Sequence, residues 1–141
     1  MELNTINNVK TLHFQNKKSK NSSLSIFQDI HKLFTIKRIF KVEFKNDKNP
    51  NRGFHAHKNC EQIITCPYGK ISFKVFDGVK SKRYIIKKNS AIYVPNHIWT
   101  ETTYLNIDTI LICYCSNNYF ENSYIRDFNE FMKFRGLSNK D

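Results

Sequence analysis

No apolar run in this sequence is long enough to cross a bilayer: the longest, Thr109 to Tyr114, falls far short of the roughly 20 residues a membrane helix needs. The opening residues, Met1-Glu-Leu-Asn-Thr-Ile-Asn7, lack a basic segment followed by an apolar block. No secretory signal is therefore expected, and the cytoplasm is the default compartment. No internal repeat divides the chain, and its 141 residues leave room for one domain and little else. A domain of that size buries about two thirds of its unfolded surface, enough for a hydrophobic core without disulfide staples.

Cysteine pairs of the C-x-x-C kind are missing as well. Cys60, Cys66, Cys113 and Cys115 thus spell neither a zinc knuckle nor a thiol redox site. Cys113 and Cys115 alternate within an apolar run, which puts both on one strand face as buried, inert thiols. Acidic residues are few: 12 Asp and Glu against 23 Lys and Arg give a formal charge of +11 and a pI near 9.6. Such a surface attracts nucleic acid, acidic membranes or phosphorylated small molecules. Yet no zinc finger, ribonucleoprotein aromatic motif or helix-turn-helix pattern accompanies it. Neither nucleic acid nor a membrane is expected as a partner; the charge would help to hold a diphosphate.

What the chain does have is strand after strand. Val9 to Phe14 alternates like an edge strand, and Gln15 to Ser23 is polar and basic, a loop by composition. Thr35 to Phe44 alternates apolar and charged residues, the period-2 signature of a half-buried strand. Lys45 to Gly53 carries turn chemistry. Another strand is expected over Phe54 to Cys66, with a turn at Pro67-Tyr-Gly69. Ile71, Phe73 and Val75 share a face, Asp77-Gly78 signals a hairpin, and Arg83 to Lys88 returns. Ala91 to Val94 forms a short strand turned by Pro95-Asn96, and Ile107 to Cys115 is a further β-rich run. Only the end reads as helix: Ile125, Phe128, Phe131 and Met132 fall at helical spacing, with Asn122 or Ser123 as N-cap. The pattern predicts an all-β fold, an antiparallel sandwich or barrel of jelly-roll type with one terminal helix.

Chemistry concentrates in Arg52-Gly-Phe-His55-Ala-His57-Lys-Asn-Cys-Glu61. On a continuous strand His55, His57 and Glu61 share parity and face one side. Two imidazoles and a carboxylate suit either proton transfer near neutral pH or metal ligation. Glu61 could orient a histidine or serve as a third ligand.

The H-x-H pair, the glutamate four residues on and Gly69 resemble the first cupin motif, and Tyr93-Val-Pro95-Asn-His-Ile-Trp99-Thr100-Glu101 resembles the second. More specifically, Arg52-Gly-Phe-His-Ala-His57, Tyr93-Val-Pro95, Trp99-x-Glu101 and Tyr124-Ile-Arg-Asp-Phe-Asn-Glu-Phe131 are similar to the dTDP-4-keto-6-deoxyglucose 3,4-ketoisomerases, over about Thr35 to Phe134. The resemblance implies a single cupin-type antiparallel jelly-roll barrel with a short C-terminal helix: an N-terminal strand or arm over 1–34, a barrel core over 35–118 and the helix over 119–136. It also implies a homodimer that needs no metal and no cofactor. Such an enzyme would act on a dTDP-linked 4-keto-6-deoxyhexose ahead of a sugar aminotransferase, with His55 as base and His57 its neighbour. Arg38, on the strand before the H-x-H turn, and Arg52, which abuts it, are the candidate diphosphate ligands, Arg38 the preferred one. Lys41, Glu61, Tyr93 and Trp99 complete the expected substrate-binding set. Three positions depart from the family pattern. Phe40 and Lys41 stand where tyrosines are usual, and Ser19-Lys-Asn-Ser-Ser-Leu24 replaces an acid-x-Arg-Gly-x-Leu stretch. Thr100 replaces the histidine of Trp-His-Glu. The rival readings are a sugar-nucleotide 3,5-epimerase, a metal-dependent cupin and a non-catalytic sugar-binding cupin.

Overall fold

Alternating and β-branched segments give strands almost throughout the computed structural model, which describes residues 2–45 and 48–137. In chain order these are β1 (Lys10–His13), β2 (Gln15–Lys18), β3 (Ser23–Ile26), β4 (Arg38–Glu43), β5 (Asn51–His57) and β6 (Gln62–Tyr68). There follow β7 (Lys70–Phe76), β8 (Ser81–Lys87), β9 (Ser90–Val94), β10 (Trp99–Tyr104), β11 (Ile110–Cys115) and β12 (Tyr124–Ile125), then helix α1 (Phe128–Phe134). One antiparallel sheet runs β1-β9-β6-β11-β4 and the other β12-β5-β10-β7-β8, while β2 and β3 form a hairpin of their own. The all-β jelly-roll expectation holds.

Ile64, Phe73, Val75, Ile92, Leu111 and Cys113 pack between the sheets, each buried side chain contributing roughly 1.5–3 kcal/mol. All four cysteines are free and buried. Burial pushes the Cys66 thiol up to about 11, which keeps it protonated and inert. The sheets' outer faces are covered from the two ends of the chain. Leu12, Phe14, Phe27 and Leu33 of the N-terminal arm lie over Ile63, Ala91 and Tyr93. Phe131 and Met132 of α1 lie over Ala56 and Trp99.

Four local expectations need correction. Gln15–Ser23 is not a loop: Gln15 to Lys18 pair with Ile26 to Ser23, and both faces of β2 are polar and exposed, so composition gave no strand signal there. The strand expected over Phe54 to Cys66 is two strands, broken at 58–61. There the Lys58 amide donates to the Ser123 carbonyl (2.8 Å) and the Glu61 amide to the Ser116 hydroxyl (2.8 Å). Trp99–Tyr104, read only as a motif, is β10, a central strand between β5 and β7. The helix begins later than expected. Its N-cap is Asp127, whose carboxylate accepts from the Glu130 amide at 2.9 Å, and not Asn122 or Ser123. Tyr124 and Ile125 instead pair with His57 and Ala56 of β5.

The hairpin at Asp77-Gly78 is as expected. Gly78 takes φ +99°, and the Asp77 carboxylate accepts from the Val79 and Lys80 amides at 2.9 and 2.8 Å.

Candidate active site

Arg52 and His55 lie three residues apart, so an uninterrupted strand would turn them to opposite faces. A β-bulge prevents this. His55 pairs with Thr100 and Arg52 with Thr102, leaving Gly53 and Phe54 opposite Glu101 alone. Gly53 takes φ +94°, and a Cβ there would stand 3.4 Å from the Thr100 carbonyl and the Thr102 amide and hydroxyl. Glycine is what that backbone admits. The bulge brings both side chains to one cavity of about 290 Å³ between the sheets, lined also by Phe40, Gln62, Thr100 and Tyr124.

His55 Nδ1 contacts the Gly53 carbonyl. A carbonyl only accepts, so Nδ1 carries the proton and Nε2 the lone pair. Burial pushes the His55 pKa below the usual imidazole value; the nearby Arg126 adds to this, while the Gly53 carbonyl and Glu121 oppose it. The ring lies edge-on to His57, with centroids 4.9 Å apart. His57 is deeper, and both its ring nitrogens are buried without a hydrogen-bond partner among the described residues. Burial first, then the charges of His55, Arg38 and Arg126, push its pKa down to about 3, so it is neutral at working pH. Tyr124 covers the pair, its ring 5.2 Å from His55 and 4.3 Å from His57. The Arg126 guanidinium stacks 4.3 Å from the Tyr124 ring and is held by Glu121 at 2.7 Å.

A base with a lowered pKa stays unprotonated into mildly acidic solution. If His55 is that base, kcat/KM should be flat through neutrality and decline only below pH 6.5, the group's ordinary value. An acid limb above that value in a pH–rate profile would count against neutral His55 as the base.

The residues expected from sequence divide cleanly. His55 and Arg52 line the cavity, and His57 sits directly behind His55. The Arg52 guanidinium donates to the Asn49 and Asn51 carbonyls, both at 2.9 Å, which fixes it in place. Arg38 lies on the face of β4 that Phe40 and Val42 share. Its guanidinium stands 3.4 Å from the Cys115 thiol and beside the Tyr124 hydroxyl, between the rings of Phe40 and Tyr119. The other four are elsewhere. Lys41 is on the opposite, solvent face of β4, paired with Glu43 at 2.8 Å. Glu61 follows the break after β5, so parity with the histidines is lost, and it accepts from the Tyr93 hydroxyl. Tyr93 packs on Phe34 beneath the N-terminal arm. Trp99 faces outward against Phe128 and Phe131, anchoring α1. Gln62, Thr102, Tyr104 and Tyr124 are polar cavity residues that the sequence reading missed. Among the described residues no three His, Cys, Asp or Glu side chains gather as a metal site.

A jelly-roll barrel with one imidazole on the wall of a mainly apolar cavity and a second packed behind it defines a cupin. Over residues 7–136 the sequence matches the family described as WxcM-like, C-terminal, and the chain belongs to that family. It is 29% identical over 117 residues to a TDP-4-oxo-6-deoxy-alpha-D-glucose-3,4-oxoisomerase from Aneurinibacillus thermoaerophilus, covering 82% of this chain and 84% of that one. A 3,4-ketoisomerase from Helicobacter canadensis superposes with a TM-score of 0.82 at 30% identity, covering 92% of this chain and 98% of that one. A TDP-fucose-3,4-ketoisomerase from Campylobacter jejuni gives 0.80 at 31%, covering 91% and 96%. The chain is thus an isomerase of the sugar 3,4-ketoisomerase kind.

Proposed function

We propose that the protein, a single cupin domain, converts a TDP-linked 4-keto-6-deoxyhexose to its 3-keto isomer, with His55 moving the carbon-bound proton. The observation that supports this best is the Nδ1 contact with the Gly53 carbonyl, which leaves Nε2 as a free base on a cavity-lining ring. The C3 proton is α to the C4 ketone, so its removal gives an enediolate, and return of the proton to C4 completes the shift. His57, neutral and buried behind it, holds the ring edge-on. Arg52 binds the diphosphate at the cavity wall. The 3-ketone suits a following aminotransferase.

No helix among the described residues is long and apolar enough to cross a membrane. We place the reaction in the cytoplasm on a soluble sugar nucleotide. Pairing of exposed sheet edges makes an isologous homodimer the assembly we propose.

Proton NMR with TDP-4-keto-6-deoxyglucose in deuterated buffer tests the reaction. The expected product is the 3-keto sugar with deuterium at C4. Inverted centres at C3 and C5 would establish an epimerase, and binding without exchange a sugar-binding cupin. Excess chelator should leave the rate unchanged, because two imidazoles beside Thr100 and Gln62 make a poor metal set. Loss of activity restored by a divalent cation would overturn the metal-free mechanism.

A further inference from the structure

Moving a carbonyl from C4 to C3 relocates two protons, and the imidazole accounts for one. When His55 Nε2 takes the C3 proton, the C3–H electron pair forms the C3=C4 bond and the carbonyl pair moves to O4. For the carbonyl to finish at C3, O4 must gain a proton and O3 must lose one. The imidazolium then protonates C4. The oxygen-to-oxygen exchange needs a group that donates and accepts at once, which a neutral hydroxyl does.

The cavity wall narrows the choice. Phe40, Val42, Leu111 and Cys113 carry no hydroxyl. The Thr100 hydroxyl donates to the His55 carbonyl at 3.4 Å, and Thr102 pairs with Arg52 with its hydroxyl against Gly53, away from the imidazole pair. Tyr104 is buried and stacked flat on Phe44 with centroids 5.2 Å apart. Tyr124 alone among these packs against both imidazoles. Its hydroxyl faces the Arg38 guanidinium, whose Nε is buried with no partner among the described residues. A cation thus stands beside this hydroxyl, where it would stabilise negative charge on the phenol oxygen.

We infer that Tyr124 is a catalytic residue: its hydroxyl donates a proton to O4 of the enediolate while accepting the O3 proton, and Arg38 is the positioning residue that steadies it. The relay returns the phenol to its starting state, so no further acid or base is consumed. This rests on the ketoisomerase reading. Arg38 leaves the diphosphate role expected from sequence, and Arg52 keeps it.

The test is Tyr124→Phe, which retains the ring and its packing. Without the relay His55 still removes the C3 proton, but the enediolate returns to substrate. In deuterated buffer, product formation should fall roughly 100-fold. Deuterium uptake at C3 of recovered substrate should persist within about 10-fold of wild type, with TDP affinity unchanged, so the ratio of exchange to isomerisation rises at least about 10-fold. That ratio is independent of how much variant is folded. Normal wild-type turnover with an unchanged ratio in the variant would overturn the assignment alone. A wild-type protein that neither isomerises nor exchanges would instead overturn the ketoisomerase reading and this assignment with it.

Discussion

Replacing His55 with Asn should lower turnover by roughly 10³-fold or more, within the range for losing a general base, while TDP affinity changes little. Asn is the informative choice because its amide still donates to the Gly53 carbonyl where Nδ1 did, so the bulge keeps its local hydrogen bond. What disappears is the lone pair on Nε2. Exchange at C3 should vanish together with product formation, unlike the pattern expected of Tyr124→Phe, where exchange outlives isomerisation. Turnover by NMR and TDP binding by calorimetry measure the two effects separately. A variant keeping a tenth of wild-type turnover would remove His55 from the base role. His57 offers no ready substitute, since it lies behind His55 and burial with its charged neighbours pushes its pKa down to about 3, too low for an effective base, while neither nitrogen has a partner among the described residues.

The parts of this site legible in the sequence are those that depend on strict alternation. His55 and His57 are two apart on one continuous strand, so parity gives their common side correctly. The same rule separates Lys41 from Arg38 on β4, and applied there it would have kept Lys41 out of the site. Glu61 was misplaced because the strand was carried through Lys58-Asn59, where turn chemistry ends it; Gln62 resumes with the inward parity. Arg52 reaches the cavity only through the bulge at Gly53 and Phe54, two successive positive-φ residues that no periodicity reveals.

Tyr124 was hidden for a different reason. Apolar residues from Ile125 to Met132 fit a helical period, and that reading carried Tyr124 out of the sheet. Asp127-Phe-Asn-Glu130 holds the contrary signal, a capping residue with an acid three positions on, which starts the helix after Tyr124 and Ile125. β10 carried a signal too: Trp99-Thr-Glu-Thr-Thr-Tyr104 is rich in β-branched and aromatic residues. Only β2, Gln15-Asn-Lys-Lys18, polar on both faces, offered periodicity nothing to detect; its partner Ser23-Leu-Ser-Ile26 does alternate.

That late helix links stability to the site, and Phe131→Ala should expose the link. Phe131 is fully buried against Phe76, Trp99 and Phe128. Truncating such a side chain costs about 3–5 kcal/mol, a large share of the 5–15 kcal/mol that holds a domain folded. The melting midpoint should drop on the order of 10 °C, read by circular dichroism. The effect on catalysis follows from the covalent path. Phe131 seats α1 on the outer face of the β5–β10 sheet, and Asp127 and Arg126 join α1 to the strand that lays Tyr124 over the histidines. At a temperature where the variant is fully folded, isomerisation should still fall, and by more than C3 exchange does, because a loosened Tyr124 impairs the relay and spares the base. A shift of the midpoint by 10 °C with wild-type isomerisation per folded molecule would mean that α1 supports only the barrel. Tyr124 would then be held by its pairing with His57 and the stacked Arg126, without help from α1.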